Sequence, residues 1–227
     1  MKTLAIDIGG SGVKVLILDA EGKPLTVRHR EATPQPSTPK AVLATIATLA
    51  KTAGPFDRVS VGFPGVVRHG VTVTAPNLDR AWKGFKLEAA LAKLLRKPAR
   101  VANDADVQGY GAISGHGVEL VLTLGTGMGS ALFVDGKLVP NLEFAHHPFR
   151  RGKTYEDLLG QVALKKAGKA KWNKRLLKAI TTLDRLFNYD HLYLGGGNTK
   201  HIAVTLPANV TVVPNAAGLL GGIALWR

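Results

Sequence analysis

The chain contains the same segment twice, and that repetition restricts its fold more than any other feature of the sequence. Leu4 to Lys14, continuing as Val15-Leu16-Ile17-Leu18-Asp19, recurs 116 positions later as Leu120 to Ser130, continuing as Ala131-Leu132-Phe133-Val134-Asp135. Each copy alternates apolar and polar residues, passes through a glycine-rich turn and returns as an aliphatic run. A second turn follows, Glu21-Gly22-Lys23 in one copy and Asp135-Gly136-Lys137 in the other. That is the pattern of paired β-strands around tight turns. An offset near half of the 227 residues predicts a duplicated βββα-type unit. The expected fold is α/β, two-lobed with a central cleft, divided as 1–106 and 107–227, with a terminal helix at about 215–227 packing back on the first lobe.

Helix signals fill the intervening sequence. Thr38-Pro39 is a cap followed by a first-position proline, Val42, Ile46 and Leu49 form one face, and Gly54-Pro55 is the stop. Leu87, Leu91, Leu94 and Leu95 mark a second amphipathic helix before Pro98. Strands are expected at Arg58 to Phe63 and Ala99 to Asn103, and a short hairpin at Val66 to Thr74.

Composition removes several function classes. Hydrophobic residues at 45% and charged ones at 20% supply a core and exclude a disordered chain. With no Cys, disulfides, thiolate zinc, iron–sulfur clusters and thiol nucleophiles are excluded, which suits a reducing cytoplasm. The longest uncharged stretch, Ile202 to Trp226, is interrupted by Pro207, Asn209, Pro214 and Asn215, so no membrane span is expected. Met1-Lys2 runs straight into the first strand pattern, leaving no room for a signal peptide or an N-terminal DNA-binding module.

Charge points to an anionic partner. The 30 Lys and Arg exceed the 16 Asp and Glu by +14, and they concentrate at Lys165, Lys166, Lys169, Lys171, Lys174, Arg175 and Lys178, shortly after Arg150, Arg151 and Lys153. The bland alternative is a lysine-rich helix facing water.

Gly9, Gly10, Ser11, Gly12 and Lys14 combine side-chain-free N–H groups, a hydroxyl and a cation suited to phosphate, with Asp7 placed to hold Mg²⁺ through water. A plain hairpin needing positive φ would use the same glycines. Thr126 and Gly127 lie in the second such turn, and Gly195 and Gly196 follow a third strand-like run. Neither a P-loop nor a Rossmann pattern is present. Asn103-Asp104-Ala105-Asp106 puts an amide and two carboxylates after a strand, where α/β sheets present ligands. Asp104 is read as a general base, and Asp106 as a helix N-cap. Gly65, Asn77 and Trp82 flank the short hairpin and offer backbone, amide and aromatic groups of the kind that bind sugars. Glu143-Phe144-Ala145-His146-His147 is read as hydroxyl recognition rather than a metal site.

Asp7-Ile8-Gly9-Gly10-Ser11, Gly62-Phe63-Pro64-Gly65, Pro76-Asn77-Leu78, Asn103-Asp104-Ala105, Leu124-Gly125-Thr126-Gly127, Glu143-x-x-His146 and Leu194-Gly195-Gly196-Gly197 occur in the order seen in the ROK family of sugar kinases. Within it, Asn77 with Trp82, the Asn103-Asp104-Ala105-Asp106 form and the lack of a Cys-rich zinc motif look most like the polyphosphate glucokinases. The resemblance implies an actin-like, ribonuclease H-like fold and Asp104 as the base on the glucose 6-hydroxyl. It implies a sugar pocket from Gly65, Asn77, Asn103, Asp104, Glu143, His146 and Glu156. It further implies Mg²⁺ as cofactor, no zinc, and inorganic polyphosphate along Lys165, Lys166, Lys169 and Lys171 as phosphoryl donor. The alternatives are an ATP-dependent hexose kinase of the same fold, or a polyanion-binding or regulatory protein without catalysis. Neither a membrane nor nucleic acid is an expected partner, and a homodimer is left open.

Overall fold

The computed structural model describes residues 1–214 and 217–226. Two units divide the chain: Met1–Gly111 with the segment that follows residue 216, and the stretch that begins at Ala112. In the first unit β1 (Thr3–Ile8), β2 (Val13–Leu18) and β3 (His29–Glu31) precede α1 (Pro39–Ala53) and β4 (Arg58–Phe63). A small hairpin, β5 (Val67–Arg68) and β6 (Val71–Thr72), then leads to α2 (Leu87–Leu95), β7 (Ala99–Asn103) and α3 (Asp104–Tyr110). The second unit holds β8 (Val118–Leu124), β9 (Met128–Val134), β10 (Lys137–Val139), β11 (Pro148–Arg150) and β12 (Lys153–Thr154). It continues with α4 (Tyr155–Leu159), α5 (Gln161–Ala167), α6 (Lys169–Phe187), β13 (His191–Gly195) and β14 (Val210–Val212).

The sequence repeat is a repeat of topology. One sheet runs β3-β2-β1-β4-β7 and the other β10-β9-β8-β13-β14. In each, the first three strands in chain order are antiparallel neighbours and the last two add in parallel. Parallel additions need a crossover, and α1 supplies one between β3 and β4. It starts where the sequence predicts: Thr38 Oγ1 accepts from the Ala41 N–H at 3.4 Å, Pro39 is the first residue, and Gly54 at φ 103° ends it. Val42, Ile46 and Leu49 pack against Leu4, Ile6, Ile8 and Val61. In the second unit α6 turns Trp172, Leu176, Ile180 and Leu183 onto Leu120, Leu122, Leu192 and Leu194.

Two expectations about helices change. The terminal helix is a single α turn, α7 (Ala217–Leu220), followed by a 3₁₀ segment, Gly221–Trp226; positions 215, 216 and 227 lie outside the described residues. Leu219 and Ile223 pack on Ala5, Leu16 and Leu18 of the first sheet. The lysine-rich stretch is two helices, α5 and α6, broken at Gly168, whose φ of 76° belongs to the left-handed region where a side chain is disfavoured.

Glu119, on β8, is fully buried and still carries its charge in comfort. Its carboxylate accepts from the Ser114 N–H (2.7 Å), Ser114 Oγ (2.8 Å), the Gly115 N–H (2.8 Å) and Tyr193 OH (2.9 Å). Asp135 and Asp190 take the N–H groups of Gly117 (3.0 Å) and Val118 (2.7 Å). Three carboxylates thereby hold the peptide leading into β8. Desolvation, the largest single influence, pushes the Glu119 carboxyl up, but the hydrogen bonds from Ser114, Tyr193 and Gly115 together outweigh it and leave it below the usual range. A depressed folded-state value gives stability that is present above the ordinary glutamate range and is lost as pH falls through it. Glu119→Gln should therefore lower the unfolding free energy at neutral pH by about 1–3 kcal/mol. In urea melts the wild type should lose stability with acid more steeply than the variant; equal pH slopes would reject the role given to Glu119.

Candidate functional site

The antiparallel register of β1 and β2 places Asp7 opposite Lys14. Their side chains form an ion pair, Nζ to Oδ2, at 2.6 Å, so the anchor and the cation that the sequence assigns to separate tasks neutralise one another. Between them, the Gly9 N–H closes the turn on the Gly12 carbonyl at 3.0 Å. None of Gly9, Gly10 and Gly12 takes a positive φ, so the plain-hairpin rationale does not apply. What these glycines give is room. A Cβ on Gly9 would sit 3.0 Å from Gly12 O, on Gly10 3.2 Å from Asn77 Cβ, and on Gly12 2.8 Å from Arg30 Nε. Gly9 spends its N–H inside the turn and its carbonyl on the Thr33 hydroxyl. Gly10 and Ser11 are the exposed residues of the turn. Arg30, from the edge strand β3, donates to the Ser11 carbonyl at 3.1 Å. It brings a second cation to the turn, one hidden from local sequence because it arrives from 19 residues away.

At the end of β7 the chain turns directly into α3. Asn103 Oδ1 accepts from the N–H groups of Ala105 (2.8 Å) and Asp106 (3.3 Å), and Asn103 Nδ2 donates to the Gly65 carbonyl at 3.1 Å. Asn103 is thus the cap, and the cap role expected of Asp106 is corrected: Asp106 is the third helical residue and is buried. Asp104 is the first helical residue, partly open to solvent, its Oδ1 held by the Ala105 N–H at 2.8 Å. Gly62 lets β4 approach: a Cβ there would lie 3.3 Å from Asp104 Cα. Gly65 meets Thr74, where a Cβ would stand 2.2 Å from the carbonyl oxygen. One group thus contains Gly65, Asn103 and Asp104, and Asn77 lies against Gly10. Trp82 is no ligand contact. It is fully buried against Phe63 and Phe85, with Nε1 donating to the Ser37 carbonyl at 2.7 Å.

In the second unit, Glu143 and His146 lie on a 3₁₀ turn, Oε2 to Nε2 at 3.3 Å. Phe144 from that turn packs on Tyr155 at 4.6 Å between ring centroids, tying it to α4. There Glu156 Oε2 accepts from the Met128 N–H at 3.0 Å. Gly127 makes room for it, since a Cβ would be 2.2 Å from the same oxygen. Desolvation is the main cause that pushes the Glu143 carboxyl up; His146 opposes it and Glu156 adds to it. Glu143, His146, Glu156 and Gly127 are therefore brought together in one group. Among the described residues no group of three or more His, Asp or Glu could hold a metal ion.

The two later glycine turns are stitched to each other. Asn198, buried, donates its backbone N–H to Leu124 O (2.9 Å) and its Nδ2 to Gly125 O (2.7 Å). Gly196, at φ 91°, packs so close that a Cβ would be 2.4 Å from Leu124 O. Gly195 is buried at the end of β13. Both are accounted for by packing. Thr126 is exposed, and Gly125 and Gly197, motif glycines to which the sequence assigned no contact of their own, have open space where a Cβ would stand. Lys165 and Lys166 close α5 while Lys169 and Lys171 open α6, all four exposed. Lys171, Lys174 and Lys178 continue as a solvent-facing stripe opposite the buried face of α6.

Residues 3–142 match the family model described as ROK family. The polyphosphate glucokinase of Mycobacterium tuberculosis is 35% identical over 233 aligned residues, 95% of this chain and 88% of that protein. The crystal structure of the inorganic polyphosphate/ATP-glucomannokinase from Arthrobacter sp. strain KM superposes with a TM-score of 0.89 at 35% identity, covering 100% of this chain and 99% of that one. A ROK family glucokinase from Streptomyces griseus, solved with glucose and AMPPNP, shares the fold at a TM-score of 0.83 and 20% identity, covering 99% of each chain. Both structures carry the two-lobed actin-like architecture of ROK sugar kinases.

Asn198→Ala should cost about 1–2 kcal/mol in chemical denaturation, and amide exchange at residues 125–127 should accelerate. Unchanged exchange would mean that the turn is held without the Asn198 side chain.

Proposed function

We propose that this chain, which belongs to the ROK family, moves the terminal phosphoryl group of inorganic polyphosphate to the 6-hydroxyl of glucose. The observation that carries the reading is Asp104: a partly exposed carboxylate at the first position of α3, fastened by the Ala105 N–H beside Asn103. The first turn of a helix favours negative charge, and a positioned carboxylate of this kind accepts the alcohol proton as the oxygen attacks phosphorus. The new O–P bond forms at O6, the bond to the next phosphate breaks, and the shortened polyphosphate leaves with the electron pair.

Gly65, Asn77, Asn103, Glu143, His146 and Glu156 are assigned to the sugar. Gly10, Ser11, Lys14 and Thr126 are assigned to the transferred phosphates, with Gly127 supporting Glu156. Mg²⁺ fits the donor set, because that ion takes one or two carboxylates and completes its shell with phosphate oxygens and water. Asp7 would hold it, exchanging its contact with Lys14 for the ion, which would neutralise charge on the phosphates. Lys165, Lys166, Lys169 and Lys171 are assigned to the polyphosphate chain, an extended polyanion. The relatives named polyphosphate glucokinase support this donor, and the Arthrobacter name, which pairs polyphosphate with ATP, favours ATP as a second donor. The reading implies a cytoplasmic enzyme.

Glucose 6-phosphate formation should be followed with Mg²⁺, glucose and either polyphosphate or ATP as sole donor. Asp104→Asn should retain glucose binding and lose turnover by roughly the 10²- to 10⁴-fold that general bases contribute; undiminished turnover would reject Asp104 as the base. Changing Lys165, Lys166, Lys169 and Lys171 together to Ala should raise the KM for polyphosphate and flatten its salt dependence, since fewer counterions are exchanged. The KM for ATP should stay near its starting value, and an equal effect on both donors would remove the lysines from the polyphosphate path.

A further inference from the structure

Asp104 needs α3 held in place, and the residues already described reach only the start of that helix. Its remainder rests on the segment Gly221–Trp226. The Gly221 backbone lies against the middle and end of α3: a Cβ there would stand 1.8 Å from Val107 O and 2.8 Å from Gly111 N. Gly222 sits over β1 and β4, 3.1 Å from Ser60 Cβ by the same measure, and its carbonyl accepts from Ser60 Oγ at 2.7 Å. Ser60 Oγ in turn accepts from Trp226 Nε1 at 2.8 Å. The Trp226 ring lies against two guanidiniums, Arg58 at 4.9 Å and Arg100 at 4.6 Å from its centroid. Arg100 also donates to the Leu225 carbonyl.

The anchor points are not arbitrary. Ser60 and Arg100 are register partners on β4 and β7, and three residues further along the same pair of strands stand Phe63 and Asn103. One end of each strand is thus gripped by the 221–226 segment, while the other end delivers Gly62 and Asn103 to Asp104. We infer that Gly221–Trp226 is a latch that positions α3, with Gly221 and Trp226 acting as positioning residues for Asp104. This inference rests on Asp104 being the base.

The physical argument turns on distance. Gly221 takes no left-handed φ, so alanine is acceptable to its own backbone and the clash falls on α3. Restoring ordinary contact from 1.8 Å requires movement of more than an ångström. α3 has seven residues, about 10 Å of helix at ~1.5 Å each, so it moves as a rigid piece and carries Asp104 with it. Misplacing a reacting group by about 1 Å can cost around 10²-fold in rate.

The test compares Gly221→Ala, Trp226→Ala, Trp226→Phe and Asp104→Asn in the full chain, each checked for a cooperative melt. Turnover is measured with polyphosphate and with ATP, and glucose affinity by equilibrium binding. Gly221→Ala and Trp226→Ala should lower kcat tenfold or more while glucose affinity changes less than threefold, the mark of an interaction that matters only in the transition state. Trp226→Phe, which keeps a ring between the arginines, should recover most of the loss. If Gly221→Ala does not fold, the Trp226 pair decides. Folded variants with kcat within twofold of wild type, or kcat and glucose affinity falling in parallel, would overturn the latch. An active Asp104→Asn would instead overturn the base assignment, whatever the latch variants do.

Discussion

The Asn103 side chain is the contact on which the candidate residues of the first unit depend. Its carbonyl oxygen ends β7 and begins α3 by taking two N–H groups that would otherwise go unbonded, while its amide reaches across to the Gly65 carbonyl. One residue therefore ties a strand end, a helix start and the loop after β4 into a single piece. Asp104 follows immediately in sequence, so the cap places its backbone and the Ala105 N–H fastens its carboxylate. Gly62 and Gly65 are the complement of this arrangement, because backbone replaces side chain where the three segments converge.

The second unit is organised differently. Glu143, His146 and Glu156 come from a 3₁₀ turn and a five-residue helix, and what holds these short elements is aromatic packing among Phe144, Tyr155, Phe149 and Phe187. Short helices have little stability of their own and depend on such tertiary contacts. The Glu156 carboxylate caps the Met128 N–H in the duplicated hairpin, so the acidic group and the glycine turn are placed by one hydrogen bond. Asn198 then locks that turn to the next one. The duplicated sheets supply the frame, and polar side chains crossing between loops set the chemistry.

Charge follows a different logic from the core. The lysines of α5 and α6 are exposed to solvent, and an extended polyanion asks for little more than a row of cations whose counterions it can displace. Near the first turn the cations are held instead: Lys14 by Asp7 and Arg30 by the Ser11 carbonyl. Cations held in place suit a phosphate at a defined point, and a solvent-facing row suits an extended chain.

The sequence by itself determined the duplicated strand-turn-strand units, the α1 boundaries, strands Arg58–Phe63 and Ala99–Asn103, and the family motifs, because alternation, caps and glycines act over a few residues. Tertiary structure alone decided that Trp82 is core, that Asn103 rather than Asp106 caps α3, and that Arg30 joins the first turn. It alone showed Glu119 gathering four donors and Gly221 lying under α3. The Asn103 cap is a local choice that the neighbouring amide and carboxylates leave open, whereas the Trp82 bond to Ser37, the Arg30 bond to Ser11, the Tyr193 bond to Glu119 and the seat of Gly221 rest on groups far apart in the chain meeting at van der Waals or hydrogen-bond distance. Spacing in sequence carries no trace of such meetings, because closing a long loop costs free energy that only slowly rises with its length.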